Sequence, residues 1–324
     1  MAAESRTSFH GFLTNMDLTV ILCTYNRCEE LREALAALAR QHTNRGVQWE
    51  VLLVDNNSTD ETKQVFEQLR NKFPVPLRYV YEPTQGLSHA RNRGIAEAYG
   101  QYVAFTEDDE RSDEAWVQSI LDTFERYSCD AVAGRIELLW CDHRPEWLTD
   151  ELRGFLGYLD YGETQVLALE RPPFGGNMAF DRAVFSKIGV FDIRLGRHGR
   201  KLIGGEETEL FERMLRAGLV MMFQPKAVMR HVVRKNRLHK SYFRKLQFNE
   251  GQIRGGRKIH KGRTIVGIPL FLLSQFYRSV FNFISETWHR GLRESLRKEM
   301  LVWYFLGLIL GSVQVRLIQR NNRS

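Results

Sequence analysis

Short apolar runs alternate with amphipathic segments along the first third of the chain. Continuous apolar and β-branched runs cover Leu18–Thr24 and Trp49–Asp55, and shorter ones cover Leu77–Tyr81 and Tyr102–Thr106. Runs of this kind are typical of strands that are buried on both faces of a parallel sheet. The segments between them carry apolar residues three or four positions apart, which is the spacing of a helix face. The pattern therefore predicts an α/β domain with a mostly parallel central sheet flanked by helices.

Polar residues follow each of these predicted strands. They are Thr24–Arg27, Asp55–Ser58, Glu82–Gly86 and Glu107–Asp109. Open parallel sheets bind their ligands beyond the carboxyl ends of the strands, so we expect these segments to share one binding rim. No GxGxxG sequence follows the first strand and the chain contains no Walker A lysine loop, which argues against dinucleotide redox chemistry and P-loop hydrolysis.

Consecutive acids at Glu107–Glu110 come directly after the predicted strand Tyr102–Thr106. Charges this close repel one another unless a cation lies among them. Mg²⁺ and Mn²⁺ take oxygen ligands, and their usual protein site has one or two carboxylates together with a phosphate. A bare acidic run is more often a solvated turn, but the surrounding motifs favour a metal site here, with Glu110 left on the surface.

The pattern continues beyond the acids with a helix near Asp113–Tyr127 and a strand near Ala131–Leu139. A strand resumes at Phe174–Phe180, where paired glycines would let the backbone approach a ligand, or would form a simple bulge. Gly204–Leu210 opens a helix whose first turn is acidic. The helix dipole favours acids at that end, so plain helix capping is an alternative to a catalytic role.

Composition places the chain among ordinary globular proteins. Its 324 residues are 43% hydrophobic and 26% charged, which suffices for one large domain or two. The cysteines Cys23, Cys28, Cys129 and Cys141 show neither CxxC pairing nor histidines at metal spacing, and no signal peptide opens the chain. We therefore expect reduced thiols in a cytosolic compartment.

The charge is divided unevenly along the chain. The whole chain carries 46 Lys and Arg against 39 Asp and Glu, but residues 226–324 hold 21 of the basic residues and only 4 of the acidic ones. That region has a net charge of +17, and the rest of the chain, with 25 basic and 35 acidic residues, has −10. An acidic body with a basic tail indicates an anionic partner for the tail: a membrane surface, a nucleic acid or a phosphorylated substrate.

Apolar runs interrupt the basic tail. Ile265–Phe283 is largely apolar and aromatic, and Met300–Val315 is shorter. A spanning helix needs ~20 mostly apolar residues, so the first run is borderline and the second is short. Basic amphipathic helices with aromatic residues suit the interface of an anionic membrane. We therefore expect peripheral or monotopic attachment of the tail to a membrane. A transmembrane span and a helical cap packed on the catalytic domain are the less favoured alternatives. The tail has no zinc-finger or RRM signature, so we expect no nucleic-acid partner.

Five motifs occur in order along the chain. They are Val20–Arg27, Val54–Asp60, Gly86–Gly94, Glu107–Glu110 and Gly205–Glu209. Together they closely resemble glycosyltransferase family 2, the inverting enzymes of the GT-A fold, over about residues 17–235. We accordingly divide the chain into an N-terminal arm (1–16), a GT-A catalytic domain (17–235) and a basic, helical, membrane-associating region (236–324).

The resemblance implies a site for a nucleotide-diphosphate sugar donor. The residues that would bind the donor are Thr24, Tyr25, Arg27, Asp55, Asn57, Arg91, Asp108, Gly176 and Asn177. Among them, Thr24, Tyr25 and Asp55 would hold the base and ribose. Arg91 would lie over the diphosphate or sugar, and the segment at Gly176 would line the sugar and acceptor side.

The same resemblance implies a metal and a base. Asp109 and Glu107 lie at the family's DXD position and would bind Mn²⁺ or Mg²⁺, chiefly through Asp109, with His231 as a further ligand close by. The family's catalytic base is usually the aspartate of a Glu-Asp pair; here the pair is Glu206-Glu207, so Glu207 takes the role by position. Glu107 and Glu207 each replace the usual aspartate and lengthen the reach of the carboxylate by one methylene.

Residue chemistry points to the same reaction. A sugar–diphosphate bond breaks more readily when a metal neutralises the leaving phosphates, and the incoming hydroxyl needs a carboxylate to accept its proton. We expect metal-assisted transfer with inversion to a saccharide or lipid-linked acceptor of cell-envelope polysaccharide or glycolipid synthesis, at the cytoplasmic side of the inner or plasma membrane.

Two other functions compete with this interpretation. A sugar-phosphate nucleotidyltransferase would carry a glycine-rich, lysine-containing activating loop after the first strand, and the segment Thr24–Arg27 is not such a loop. A non-catalytic sugar-nucleotide binding module would not need carboxylates at both the metal and the base positions, where this chain has them.

Overall fold

The computed structural model describes residues 16–196, 204–257, 264–265 and 268–321. Residues 1–15 of the expected N-terminal arm lie outside the described residues. The strands of the described part are β1 (Leu18–Thr24), β2 (Trp49–Asp55), β3 (Leu77–Tyr81), β4 (Tyr102–Glu107), β5 (Glu110–Ser112), β6 (Ala131–Trp140), β7 (Gln165–Val166), β8 (Met178–Asp181), β9 (Met221–Val233), β10 (Thr264–Ile265) and β11 (Ile268–Pro269). Its α-helices are α1 (Cys28–Leu38), α2 (Thr62–Leu69), α3 (Leu87–Glu97), α4 (Trp116–Arg126), α5 (Ala183–Ile188), α6 (Glu206–Arg216), α7 (Lys240–Arg257), α8 (Leu270–Glu294) and α9 (Leu296–Asn321).

A single sheet contains β1 to β9 in the order β3-β2-β1-β4-β8-β6-β9-β5, with β7 paired to β9. β1 lies parallel to β2 and β4, and β2 lies parallel to β3, as the apolar runs predicted. The later strands join in antiparallel fashion, β8 to both β4 and β6, and β5 and β7 to β9. The register places Thr24 beside Asp55 and Cys23 beside Glu107, so polar strand ends meet at one edge.

Helices cover both faces of this sheet, which explains why β1 is apolar at successive positions. Leu18, Val20 and Leu22 pack in one hydrophobic cluster with residues of α1, α2 and α4. Ile21 and Cys23 point into a second cluster, which contains residues of α3, α5 and α6. The expected α/β fold with a central sheet flanked by helices is therefore confirmed, and burial of apolar surface on both faces stabilises the strand that leads into Thr24. The expectation of a mostly parallel sheet needs correction: β1 to β4 pair in parallel, but β5, β7 and β8, which join later in the chain, pair in antiparallel fashion, so the sheet is mixed.

The described residues fall into two compact units. One contains residues 16–139, 157–196 and 204–232, and with them most of the sheet. The other contains residues 140–156, 233–257, 264–265 and 268–321, and with them α7, α8 and α9. Residues 140–156 thus group with the C-terminal helices although they are distant from them in sequence.

α7 and α9 of the second unit pack with their backbones close together. Each helix has two glycines four residues apart, Gly251 and Gly255 on α7 and Gly307 and Gly311 on α9. A Cβ atom at Gly307 would lie 2.1 Å from the carbonyl oxygen of Phe248, and the other glycines leave equally little room. The second apolar run of the tail therefore packs against α7. Neither α9 nor any other helix of the described residues is long and apolar enough to cross a membrane.

Candidate active site

A cavity of about 160 Å³ opens where the segments after β1, β2, β3 and β4 meet. Its walls are Cys23, Thr24, Tyr25, Arg27, Asn56, Gln85, Gly86, Leu87, Ala90, Glu107 and Asp108. The structure therefore places five residues from the donor and metal predictions around one space: Thr24, Tyr25, Arg27, Glu107 and Asp108. This edge of the sheet is where open α/β folds bind their ligands.

Hydrogen bonds clasp the loop after β1 to the loop after β2. Asn26 has a left-handed backbone with φ of 50°, which residues other than glycine seldom adopt. Its Oδ1 accepts a hydrogen bond from Thr59 N at 2.7 Å, and its own backbone N donates to Ser58 Oγ at 2.9 Å. These bonds stabilise the conformation of Asn26 and so fix its two chain neighbours, Tyr25 and Arg27, in the cavity wall.

Asp55 and Asn57, both expected to bind the donor, are held by tyrosines of β3. Oδ2 of Asp55 accepts a hydrogen bond from Tyr79 OH at 2.7 Å, and Oδ1 accepts one from Ser58 N at 2.9 Å. Asn57 has a positive φ of 67°, and its Oδ1 accepts a hydrogen bond from Tyr81 OH at 2.6 Å. Neither residue lines the cavity, but they flank Asn56, which does.

Asn56 joins the segments after β2 and β3, a role that the sequence motifs did not reveal. Its Nδ2 donates to the carbonyl oxygen of Thr84 at 2.7 Å, and its Oδ1 accepts a hydrogen bond from Gly86 N at 2.8 Å. Asn56 and Gly86 both line the cavity. The available signal was the position of Asn56 directly after a buried strand, which marks a polar contact but does not reveal its partner.

Arg27 lies among the carboxylates on one side of the cavity. Its Nη1 is 2.6 Å from Asp108 Oδ1 and 3.2 Å from Asp109 Oδ2. Thr24 Oγ1 donates a hydrogen bond to Asp108 Oδ2 at 2.9 Å, and His231 Nε2 lies 3.7 Å from Asp109 Oδ2. The structure thus brings together residues expected at the donor and residues expected at the metal.

Burial and crowding disturb the ionisation of this cluster. Burial raises the pKa of Asp108 to about 6, although Arg27 opposes the shift, and the charge of Asp109 adds to it. Burial also disfavours the charged form of Arg27, but the carboxylates of Asp108 and Asp109 overcome that effect and raise the Arg27 pKa. The single positive charge of Arg27 does not balance the two carboxylates of Asp108 and Asp109. A further cation would offset the remaining negative charge.

Glu110 is buried, so the expectation that it lies on the surface was wrong. It is 4% exposed, and its Oε2 accepts hydrogen bonds from Thr106 Oγ1 at 3.2 Å and from Glu107 N at 3.1 Å. Burial, followed by the charges of Glu107 and Asp109, raises its pKa well above the ordinary glutamate value. The reason for the error is that Glu110 begins β5, whose residues are all buried in the sheet.

Gly176 and Asn177, expected on the sugar and acceptor side, pack in the interior. A Cβ atom at Gly176 would lie 1.9 Å from Glu110 Oε1, so glycine alone leaves room for that carboxyl group. Oδ1 of Asn177 accepts a hydrogen bond from Trp116 Nε1 at 2.8 Å, and its Nδ2 donates to Ala227 O at 2.9 Å. Neither residue belongs to the cavity wall. Gly176 packs against the acidic turn at Glu110, whereas Asn177 links α4 to β9.

Arg91, expected over the diphosphate or sugar, is buried between two carboxylates. Its side chain is 2% exposed, with Nη2 at 3.0 Å from Glu107 Oε1 and Nη1 at 3.1 Å from Glu206 Oε1. Burial disfavours its charge, but Glu206 and then Glu107 overcome this and raise the Arg91 pKa. Arg91 is therefore a buried cation that links the end of β4 to the first residue of α6.

Glu207, expected to be the base, follows Glu206 in the first turn of α6. Burial, and then the charge of Glu206, raises its pKa to about 8, while Arg91 opposes the shift. Its Oε2 is shielded from solvent and accepts no hydrogen bond from the described residues. A carboxyl group with a pKa this close to neutrality can exchange a proton under physiological conditions.

The acidic turn offers the ligand types of a hard divalent cation. Glu107, Asp108 and Asp109 supply carboxylate oxygens and His231 supplies an imidazole, which suit Mn²⁺ or Mg²⁺. Burial is the main cause of the raised pKa of Asp108, and the neighbouring charge of Asp109, which adds to it, is one that such an ion would neutralise. As the side chains lie, no three His, Cys, Asp or Glu residues in the described part of the chain are grouped to hold a metal.

The family model described as Glycosyl transferase family 2 matches residues 19–189, just over half of the chain. The chain belongs to glycosyl transferase family 2. The resemblance drawn from the five motifs is confirmed, and the protein is a glycosyltransferase with a GT-A fold. The alternative function, a sugar-phosphate nucleotidyltransferase, is therefore not favoured.

Similar family 2 glycosyltransferases come from bacteria and archaea. The succinoglycan biosynthesis protein ExoM of Rhizobium meliloti is 28% identical over 260 residues, which cover 79% of this chain and 80% of ExoM. The glucosyl-dolichyl phosphate glucuronosyltransferase of Haloferax volcanii is 28% identical over 203 residues, which cover 61% of this chain and 63% of that protein. The structure of the mannosyltransferase PcManGT from Pyrobaculum calidifontis, in complex with GDP-Man and Mn²⁺, is 18% identical with a TM-score of 0.53. That match covers 96% of this chain and 76% of PcManGT, and it supports the fold.

Proposed function

We propose that this glycosyltransferase moves a sugar from a nucleotide-diphosphate donor to an acceptor hydroxyl with inversion at the anomeric carbon, assisted by Mn²⁺ or Mg²⁺. The observation that carries the proposal is the cluster of Arg27, Asp108 and Asp109 beside a cavity at the carboxyl ends of parallel strands. Nucleotides bind at this place in open α/β sheets, and the excess negative charge of the cluster calls for a cation.

The nucleoside half of the donor fits the wall formed after β1 and β2. Tyr25 is 39% exposed at the cavity and offers an aromatic face to a base. Thr24 lies beside it, and Asp55 and Asn57, which flank Asn56 of the wall, are the proposed acceptors of hydrogen bonds from the base or ribose. The clasp at Asn26 holds this wall in place before the donor arrives.

Asp109 and Glu107 are the proposed metal ligands, with Asp108 at the donor and His231 beside Asp109. When bound, the metal neutralises the charge that develops on the leaving diphosphate. Arg27 shares the cavity wall with Asp108, so a guanidinium released from Asp109 adds a second positive charge for the phosphates. In this proposal Arg91 positions the site by holding Glu107, and Gly176 and Asn177 support it from the interior.

Glu207 is the proposed general base. Burial, and then the charge of Glu206, raises the pKa of Glu207 to about 8, and Glu206 itself forms an ion pair with Arg91. Glu207 would take the proton of the acceptor hydroxyl as the oxygen attacks the anomeric carbon and the diphosphate leaves from the other side. A single displacement of this kind inverts the configuration at that carbon.

The proposed acceptor is a saccharide or a lipid-linked saccharide of the cell envelope, and the proposed location is the cytoplasmic face of the inner or plasma membrane. ExoM is named for succinoglycan biosynthesis, and the Haloferax relative is named for glucosyl-dolichyl phosphate. The net charge of +17 in residues 226–324 supports peripheral attachment to an anionic surface, since each basic residue near such a surface contributes about 1 kcal/mol.

Thermal unfolding with a panel of UDP, GDP and dTDP sugars tests the donor site. Ligands that bind only the folded state stabilise it, by about 2.7 kcal/mol at a hundredfold excess over Kd. We expect one class of donor to raise the Tm in the presence of Mn²⁺, and the rise to shrink in Asp109→Asn. No shift with any donor would contradict the site. A shift without any nucleotide release or sugar transfer would support the non-catalytic binding module instead.

A further inference from the structure

α8 presents an apolar stripe to solvent. Its exposed apolar side chains are Leu270, Phe271, Tyr277, Phe281, Ile284 and Trp288, from 40% exposed at Leu270 to 87% at Trp288. Tyr277, Phe281, Ile284 and Trp288 recur every three or four positions, so they share one face of the helix, and we call them the α8 stripe. The α8 stripe runs for about 17 Å along the helix.

The opposite face of α8 packs inside its own unit. Leu272 and Ser279 are buried there, and Leu272 forms a small hydrophobic cluster with Leu308 and Ile309 of α9. α8 is therefore held in place from one side while its aromatic side chains point away. Scattered exposed apolar residues are common on proteins, but a contiguous patch of large ones marks an interaction surface.

Charge distinguishes between the partners that could cover the α8 stripe. Residues 226–324 carry 21 basic against 4 acidic residues, so two copies brought face to face through this region would repel each other. Arg278, which follows Tyr277, is exposed at the border of the stripe. The acid that α8 contains before its kink, Glu286, lies 3.4 Å from Arg290 in an ion pair. An anionic lipid surface attracts this arrangement, and Tyr and Trp rings are enriched at the boundary between headgroups and acyl chains.

We propose that α8 lies in the surface of an anionic membrane with the α8 stripe inserted at the level of the headgroups. Helices that lie in this interface have an apolar face bordered by basic residues. Gly291 has a non-helical φ of 78° and ends the regular helix one turn after Trp288, so the inserted surface belongs to one straight segment. The inference rests on the peripheral attachment of the proposed function but not on its chemistry.

Flotation of the full chain with lipid vesicles tests this placement. We expect the wild type to float with phosphatidylcholine vesicles that contain phosphatidylglycerol and to remain behind with phosphatidylcholine alone. The double variant Phe281→Ser/Trp288→Ser is expected to bind the anionic vesicles at least about tenfold more weakly. Both side chains are largely exposed, so the change spares the interior. Leu169→Ser removes a half-exposed apolar side chain outside α8 and should bind as the wild type does.

Equal binding of the wild type and the double variant to anionic vesicles would overturn the inference. Concentration-dependent dimerisation of the wild type in sedimentation velocity, lost in the double variant, would also overturn it, because a second copy would then cover the stripe. Metal-dependent release of nucleoside diphosphate without lipid is expected to be equal in both proteins. If neither protein releases nucleoside diphosphate while the wild type still binds the vesicles, the result contradicts the proposed reaction but not the membrane placement of α8.

Discussion

Arg91 Nη1 lies 3.1 Å from Glu206 Oε1, and the other terminal nitrogen, Nη2, lies 3.0 Å from Glu107 Oε1. One buried guanidinium therefore joins the carboxylate at the end of β4 to the first residue of α6, the helix that also carries Glu207. Buried charges of this kind depend on one another, since removing one leaves its partners without compensation.

Replacing Arg91 with Met retains most of the side-chain volume but removes the cation between Glu107 and Glu206. Breaking a buried pair by removing one partner costs about 3–5 kcal/mol, and we expect a fall of that order in the free energy of unfolding, measured in urea. The double variant Arg91→Met/Glu206→Gln should recover part of the loss, because one of the stranded charges is then neutral. Ordinary surface substitutions change the free energy of unfolding by no more than about 0.5 kcal/mol. A change this small in Arg91→Met would contradict the role given to Arg91.

Gly176→Ala tests the close packing beneath the acidic turn. The new Cβ would lie 1.9 Å from Glu110 Oε1, so the carboxyl group must move, and overpacking of this kind costs about 1–3 kcal/mol. The matched control is Gly154→Ala, where a Cβ meets no described atom within 4 Å. Urea unfolding should show a loss for the first variant and little change for the control. Adding Glu110→Asp, which shortens the acid by one methylene, should restore part of the loss; equal stability of both alanine variants would argue against the contact.

The pH dependence of kcat/KM tests the ionisation of Glu207. Its pKa is raised to about 8 by burial and by Glu206, and a general base must be ionised to accept a proton. We therefore expect kcat/KM to rise with pH and to level off above about pH 8. The rising limb should be missing from the low residual activity of Glu207→Gln. A wild-type profile that is flat from about pH 6 to about pH 9 would contradict the assignment.

The same pKa shift acts on stability in the opposite direction. A folded-state pKa above the unfolded one means that the folded protein favours the protonated carboxyl group, so this stabilisation is present at low pH and is lost as pH rises through about 8. The Tm of the wild type, compared with that of Glu207→Gln, should therefore decline as pH rises through that value. Since other carboxyl groups titrate in both proteins, only the difference between the two melting curves is diagnostic. A constant difference would show that Glu207 is not perturbed.

Asn26 offers a test of the clasp between the loops after β1 and β2. Asn26→Gly keeps the positive φ of 50° but loses the bond to Thr59 N, whereas Asn26→Ala loses the bond and also strains the backbone. The left-handed conformation costs about 1–2 kcal/mol for a residue with a Cβ. We expect the donor KM and the loss of stability to be larger for Ala than for Gly. Identical values for the two variants would show that the backbone conformation does not support the donor wall.

The pattern of apolar residues predicted the strands of the parallel part of the sheet. β1 and β2 coincide with their apolar runs because a strand buried on both faces carries apolar side chains at most positions. The family motifs likewise marked Thr24 and the acids after β4, which the sheet register brings to one edge.

Contacts between distant segments could not be predicted in this way. Glu110 was missed because its burial comes from pairing between β5 and β9, far along the chain. The two ion pairs of Arg91 join it to residues 16 and 115 positions away. Neither relationship leaves a periodic signal in the sequence, since hydrophobic periodicity reports which face of an element is buried and not which polar groups meet there.

The proposed reaction is tested most directly by measuring the release of nucleoside diphosphate. The substrate is the donor that raises the Tm of the protein. With Mn²⁺ and an acceptor, the wild type should release nucleotide and transfer sugar with inversion. Chelation and Asp109→Asn should remove the metal-dependent rate, and Glu207→Gln should lower the rate by about 10² or more, the usual contribution of a general base. Metal-independent transfer would contradict the function given to the acidic turn, and full activity of Glu207→Gln would remove Glu207 from the mechanism.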